Sequence, residues 1–305
     1  MHDPDLIRDA LATSTLNHGL MVLGEYWTVA VLRGSFLGVR RFEDWQAMLG
    51  IPRSTLANRL NRLVDLGLLR QRVYQERPRR HAYHLTQAGL KLYDHVLMIW
   101  AWEKRWGARQ NLLPGRLIHR TCGQPFVPLL ACAACHEKTD VGDLKYTLRV
   151  VQALQPSASG SPRNGRISGG SDDDMTLGLR VDRWSLLIVT AVVLGCHYFD
   201  QLGRALGIAS GVLSRRLAGM VNSGLLLAQP DLSDARRVFY RLTPASRDLF
   251  GYLVCFANWA GREYLQQPSS IEPVHKSCGE AFVPEVLCGA CKAPLHPSEV
   301  AFEPA

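Results

Sequence analysis

Six of the chain's eight cysteines fall into two matching sets, each headed by a histidine. The first is His119-x2-Cys122-x9-Cys132-x2-Cys135, and the second is His275-x2-Cys278-x9-Cys288-x2-Cys291. Three thiolates and an imidazole make a four-coordinate sphere that suits the borderline softness of Zn2+. Two donors separated by two residues can both be presented by one tight turn. Phe126-Val127-Pro128 and Phe282-Val283-Pro284 keep the same register inside the two sets. Taken set by set, the spacing predicts two structural Zn2+ sites, each closed by four protein ligands with no open position for water or substrate. Disulfides are the competing use of paired cysteines, but eight cysteines in 305 residues are too few for a disulfide scaffold. His136 also follows Cys135 directly, yet Lys292 stands at the matching place, which favours His119 and His275. His296 has no counterpart in the first set. Cys196 and Cys255 sit in apolar runs and read as core residues. Zinc or redox sensing is the alternative to a purely structural role.

The remaining histidines pair with no carboxylate and nucleophile in a recognisable pattern, and no phosphate-binding glycine loop is present, so no enzyme is expected. The net charge is +8 and the pI about 9.2, which points to an anionic partner. Residues 1–154 carry 21 Lys+Arg against 13 Asp+Glu, whereas residues 155–305 carry 14 of each. The whole excess therefore lies in the first half. No run of apolar residues is long enough for a membrane-spanning helix, and MHDPDLIRDA lacks the basic-then-apolar layout of a secretory signal. A cytoplasmic protein is expected.

The elements that would position these groups occur twice. Trp27 and Trp184 are 157 residues apart, as are Arg59-Leu60 and Arg216-Leu217, Gly67-Leu68 and Gly224-Leu225, Leu85-Thr86 and Leu242-Thr243, and Trp102 and Trp259. His119 and His275 match at 156. One register held this long marks a duplication. Between the copies, Gln155–Asp174 is rich in Ser, Gly and Pro and reads as a flexible linker. The expected organisation is 1–110 and 179–266 as two domains, 111–154 and 267–305 as their zinc knuckles, and 155–178 as the linker.

Within one copy, Trp27–Leu37 reads as a buried helix, and Phe42–Leu49 has apolar residues at helical spacing. Gly50 ends that helix, Pro52 opens the next, and Arg53–Asp65 places Leu56, Leu60 and Leu63 on one face. Gly67 stops it. Two β-rich runs follow, Leu68–Tyr74 and Ala82–Leu85, around a turn at Gln75–His81, and Thr86 caps a further helix. Helix, short glycine turn, helix and hairpin make a winged helix-turn-helix. The expected fold is mainly α with small β wings (α+β): two tandem winged helix-turn-helix domains, each followed by a small zinc-binding knuckle. Arg77, Arg79 and Arg80 at the hairpin turn have no apolar neighbour to bury and suit phosphate or minor-groove contact. In the second copy Phe199–Leu206 and Ser210–Val221 are the corresponding helices, and Asp231 and Asp234 join Arg236 and Arg237 at the turn. Trp100, Trp102 and Trp106 at helical spacing read as packing.

The runs W-T-V-A-V-L, R-R-F-E-D, G-I-P-R-S-T-L-A-N-R-L-N-R-L-V-D-L-G-L-L-R and Y-Q-E-R-P-R-R-H-A-Y-H-L-T-Q-A-G resemble the HxlR-type winged helix-turn-helix family. The second half resembles it less closely, through Trp184, Phe199, Leu213, Leu217, Gly224-Leu225 and Tyr240-Arg241-Leu242-Thr243. The resemblance implies a bacterial transcription regulator that binds operator DNA, usually as a homodimer. Matched residue by residue, Arg53, Ser54, Thr55, Asn58 and Arg59 would face the major groove and Arg79 the wing contact, with Arg and Asn suited to guanine and adenine edges. Arg62, Arg77 and Arg80 extend that surface, and Ser210, Arg215, Arg216, Arg236 and Arg237 are its second-half candidates. Pro52 and Ala209 stand where members usually carry Ser. No cysteine lies in Met1–Trp27, so the family's redox-sensing position is empty. Because members are mostly single-domain chains, the tandem could act as an internal pseudo-dimer or pair as a homodimer, and it could equally be that only its first half binds DNA. A small-molecule effector is allowed but unidentified. The competing function is a protein-interaction scaffold with degenerate winged helices and zinc knuckles as docking surfaces.

Overall fold

The computed structural model describes residues 3–107, 115–149, 182–231, 234 and 236–303. The expected linker lies outside them. Two helices precede the first winged domain: α1 (Pro4–Thr13), with the Asp3 side chain accepting from the Asp5 N–H at its start, and α2 (Thr15–Leu23), capped by Ser14. α3 (Tyr26–Phe36), α4 (Phe42–Leu49) and α5 (Arg53–Asp65) follow. Gly50 takes the left-handed conformation that ends α4, with φ 61, and Gly207 repeats it in the second copy with φ 60. That conformation costs a residue with a Cβ, which is why glycine closes both turns. Leu56, Leu60 and Leu63 of α5 are fully buried, each contributing roughly 1.5–3 kcal/mol of apolar burial.

The first wing pairs β1 (Leu69–Glu76) with β2 (Arg79–Leu85). It is longer than the sequence suggests. Glu76 pairs with Arg79 and Gln75 with Arg80, so the connecting turn is Arg77-Pro78, and Arg79 and Arg80 lie on the strand. Charged side chains do not oppose pairing here. The backbone satisfies its own donors and acceptors, and the exposed strands keep the charges in water. Then come α6 (Gln87–Leu90) and α7 (Tyr93–Trp106). The second copy repeats the series with α8 (Arg183–Val193), α9 (Phe199–Leu206), α10 (Ser210–Asn222), β7 (Leu226–Pro230), β8 (Val238–Leu242) and α11 (Pro244–Trp259). In this order β7 and β8 follow six strands of the first copy, of which β3 (Arg116–His119), β4 (Gln124–Phe126), β5 (Pro128–Cys132) and β6 (Leu144–Leu148) form its knuckle. The second knuckle holds β9 (Ile271–His275), β10 (Pro284–Cys288) and β11 (Val300–Glu303). Among the described residues no helix is long and apolar enough to cross a membrane.

The copies meet about a local twofold axis. His95 and Tyr252 are repeat equivalents, and their rings pack at 4.1 Å between centroids. The indole N–H of Trp102 donates to the Ala245 carbonyl at 2.6 Å, and that of Trp259 donates to the Ala88 carbonyl at 3.3 Å, which is the same contact read in both directions. The Trp106 indole donates to Asp248 and Lys91 donates to Glu263, again equivalent positions with different chemistry. The knuckles continue the symmetry. β5 and β10 pair antiparallel with Leu130 opposite Val286. β3 pairs with β11 and β6 with β9, so each copy's first knuckle strand is paired with the other copy's last. This exchange covers strand edges that a lone knuckle would leave open. The segments expected at 111–154 and 267–305 therefore share their sheets.

Candidate metal centres and nucleic-acid interface

Four knuckle turns are built alike. The N–H of Gly123 donates to the His119 carbonyl, that of His136 to Cys132, that of Gly279 to His275 and that of Lys292 to Cys288, at 2.7–2.8 Å. The first ligand of each pair supplies the carbonyl and the second sits one residue before the donor. All four donor residues have positive φ, 69, 58, 76 and 65 respectively. His136 thus occupies a turn position, and its ring meets Glu285 at 2.7 Å instead of the ligand cluster.

The structure gathers all eight sequence-predicted ligands into two clusters, but not by copy. His119 and Cys122 face Cys288 and Cys291; Cys132 and Cys135 face His275 and Cys278. The grouping of each copy's own four ligands, expected from spacing, is corrected by this arrangement. The cause is the strand pairing. Residues between Cys122 and Cys132 run mostly through β4 and β5 and, at roughly 3.3 Å per residue, carry Cys132 away from its own His119. The partner copy brings the second pair instead. His119 Nδ1 lies 3.3 Å from Cys291 Sγ and 3.5 Å from Cys122 Sγ; His275 Nδ1 lies 3.3 Å from both Cys135 and Cys278; Cys132 and Cys278 are 4.0 Å apart. Tetrahedral zinc with bonds of about 2.3 Å to sulfur and about 2.0 Å to nitrogen sets donors ~3.5–3.8 Å apart, so the clusters have the size of a metal sphere. The Ala293 backbone N–H, followed by His119, holds the Cys291 thiol down at about 7 and the Glu280 backbone N–H lowers Cys278, whereas burial raises Cys288 and Cys135. His119 Nε2 is buried without a hydrogen-bond partner, 3.9 Å from the Glu299 carboxylate. Cys196 and Cys255 are buried core thiols, pushed up by that burial.

On the first winged domain, α5 exposes Arg53, Ser54 and Asn58, with Thr55 half-buried. The Arg53 guanidinium lies 5.1 Å over the Phe42 ring. Arg59 points elsewhere. Its Nη1 meets Glu25 Oε2 at 2.5 Å in a geometry too bent for a directed hydrogen bond, and its side chain is only 24% exposed. The equivalent pair in the second copy is Arg216 with Asp182 at 2.7 Å, and Asp182 also caps α8. In each domain this arginine ties the second helix of the motif to the start of the first domain helix. Arg62 reaches the Met21 carbonyl at 3.5 Å. On the wing, Arg77 and Arg79 are exposed with no ion pair among the described residues, and Arg80 is 3.6 Å from Glu43. Arg70 and Arg72 of β1 are also exposed and extend the cationic surface. They lie outside the sequence-predicted contact set, although the alternation in LRQRVY marks them. Burial first, then Arg40, Arg72 and Arg70, lowers the pKa of His84 beside them.

The second domain has the same shape and different charges. Arg236 pairs with Asp234 at 3.1 Å, and Arg237 pairs with Asp200 at 3.2 Å while lying 3.9 Å over Tyr198. Tyr198 in turn donates to Asp231. Arg215 donates to the Gly211 carbonyl at 3.3 Å and remains exposed, as does Ser210.

Comparison with known proteins fits this twofold layout. The HxlR-like helix-turn-helix family matches residues 22–111 and again 180–268. Uncharacterized HTH-type transcriptional regulators of Mycobacterium tuberculosis and Mycobacterium bovis are 39% identical over 137 residues, which is 42% of this chain and 87% of theirs. A solved structure of a "Putative transcription factor" from Pseudomonas aeruginosa is 30% identical, covering 47% of this chain and 94% of that one, with a TM-score of 0.31.

Proposed function

The chain belongs to the HxlR-like helix-turn-helix family, and from that premise we propose that it regulates transcription as its own pseudo-dimer, with the first half reading duplex DNA. The observation that carries this reading is the unequal charge on two equivalent surfaces. The first half presents Arg53, Ser54, Thr55 and Asn58 on α5 and, on its wing, Arg77 and Arg79 with no ion pair among the described residues, with Arg80 beside them. The second half's wing arginines are already held by Asp234 and Asp200. Phosphate contact releases counterions only where a cation is available to replace them. Base edges would be met from α5, while Arg59 and Arg216 set the angle of their helices. Ser210 and Arg215 remain a minor second contact.

In this proposal each Cys3His cluster holds a structural Zn2+. The ion closes a four-ligand sphere and leaves no site for substrate. Each ion takes two ligands from either half, so it braces the pseudo-dimer rather than one knuckle. The donor set and the turn N–H groups favour zinc over harder ions.

Gel shifts across a salt series test the DNA reading. Arg77→Ala with Arg79→Ala should lower the slope of log affinity against log salt by about 1.8, since each lost phosphate contact removes about 0.9. Arg236→Ala with Arg237→Ala should leave the slope unchanged. Equal losses from both pairs, or no duplex binding by the wild-type chain in dilute buffer, would overturn the assignment.

A further inference from the structure

A cavity of about 440 Å³ lies between the start of α2, α8, α11 and the paired strands β6 and β9. Its existence follows from how the two copies diverged. Where the first copy buries Trp100, the second has Ala257. Arg33 and Glu103 of the first copy form an ion pair at 2.7 Å, and their equivalents are Thr190 and Ala260. Phe36 is matched by Val193. Several space-filling groups are thus absent from one copy, and the remaining volume is within the range of small-molecule sites. α2 covers it, with the Thr15 hydroxyl donating to the Ala257 carbonyl at 3.0 Å. The cleft opens to solvent at one side, so a ligand can enter it without unfolding the core.

Its lining mixes apolar residues with polar ones, among them Asn258, Gln267 and Ser269. Tyr146 is in the wall, and its hydroxyl is buried without a hydrogen-bond partner. Arg262 is at the rim, exposed and with no ion pair among the described residues. Glu272, also at the rim, is held by Arg149 at 2.8 Å. Leu253, Val254 and Phe282 complete a largely apolar interior.

We propose that this cavity is a small-molecule site for an apolar acid, an aryl or branched-alkyl carboxylate whose body fills the space left by the missing Trp100 equivalent and whose carboxylate meets Arg262. Its walls come from both halves, α2 and β6 from the first and α8, α11 and β9 from the second. Occupancy therefore ties α2 and the first knuckle to the second winged domain. That regulatory consequence rests on the DNA-binding reading above; the binding itself does not.

The probe is 2-naphthoate, titrated calorimetrically into the full metal-loaded chain without DNA. Saturable one-to-one binding is expected. Ala257→Trp, which restores the first copy's residue, should weaken it by at least about tenfold. Val193→Phe, a smaller filling copied from Phe36, should weaken it in the same direction and guards against a folding defect in the first variant. Naphthalene-2-carboxamide, the neutral analogue, and Arg262→Gln should each show weaker binding than the parent pair. No binding with Kd below about 1 mM, or binding that Ala257→Trp and Val193→Phe leave unchanged, overturns the site. Equal affinity for acid and amide overturns the ligand class. Because DNA is absent from the titration, failure of the DNA reading would leave these results standing.

Discussion

Replacing Cys122 and Cys291 together by serine should leave one metal ion on the chain, whereas replacing Cys122 and Cys132 together should leave none. The first pair belongs to one cluster and the second pair to both, although Cys122 and Cys132 are the neighbours in sequence. If each copy bound its own ion, the two results would exchange. The magnitude makes the count decisive. Structural zinc in small modules is bound with roughly 10–16 kcal/mol, so one ligand in four carries about 2.5–4 kcal/mol, or about two to three orders of magnitude in affinity. A chelator chosen between the intact and the three-ligand affinities strips the damaged site and spares the intact one. Metal per chain, measured by plasma mass spectrometry after such a challenge, should read two for wild type, one for Cys122→Ser/Cys291→Ser and none for Cys122→Ser/Cys132→Ser. One ion surviving in the last variant would refute the crossed arrangement and, with it, the idea that the metals hold the halves together.

Arg59→Ala should cost about 1 kcal/mol of stability in urea denaturation, because the lost partner is a half-exposed Glu25; its salt slope on DNA should match wild type, and a change near 0.9 would return Arg59 to the interface. His95 and Asp94 give opposing pH dependences. Burial holds His95 down at about 4, so the unfolded chain takes up that proton first, and the stability it contributes above about 6.5 is lost as pH falls toward 4. Burial, then Glu285, raises Asp94 to about 6, so its penalty is present above pH 6 and fades as pH falls below it. Between about 4 and 6 the slopes nearly cancel. Asp94→Asn should expose a fall of up to about 1.4 kcal/mol per pH unit there, absent in Asp94→Asn/His95→Gln. Comparing these two chains at each pH removes the metal's own pH dependence, and parallel curves would count against a neutral buried His95.

The repeat, the helix boundaries and the ligand residues were legible because each leaves a local mark: Gly50 and Gly207 at helix ends, Leu56, Leu60 and Leu63 on one face, two donors per turn. The crossing of the metal sites leaves none. Two copies of one strand pattern pair equally well within or between copies as far as spacing goes, and only the packing of α7 on α11 about His95 and Tyr252 decides which edge is within reach. The role of Arg59 was half-legible. The family resemblance placed it at the major groove, but it recurs as Arg216 with acidic partners Glu25 and Asp182, and a recurring pair of opposite charge marks framework more than recognition. What does not recur is then the informative part. Arg77 and Arg79 face Asp234 and Arg236 across the repeat, and Trp100 faces Ala257. A homodimer must carry every substitution on both sides of its axis. A fused tandem need not, so one copy can keep a cationic surface while the other pairs its wing arginines with Asp234 and Asp200 and opens a cavity, with each Cys/His cluster drawing on both copies.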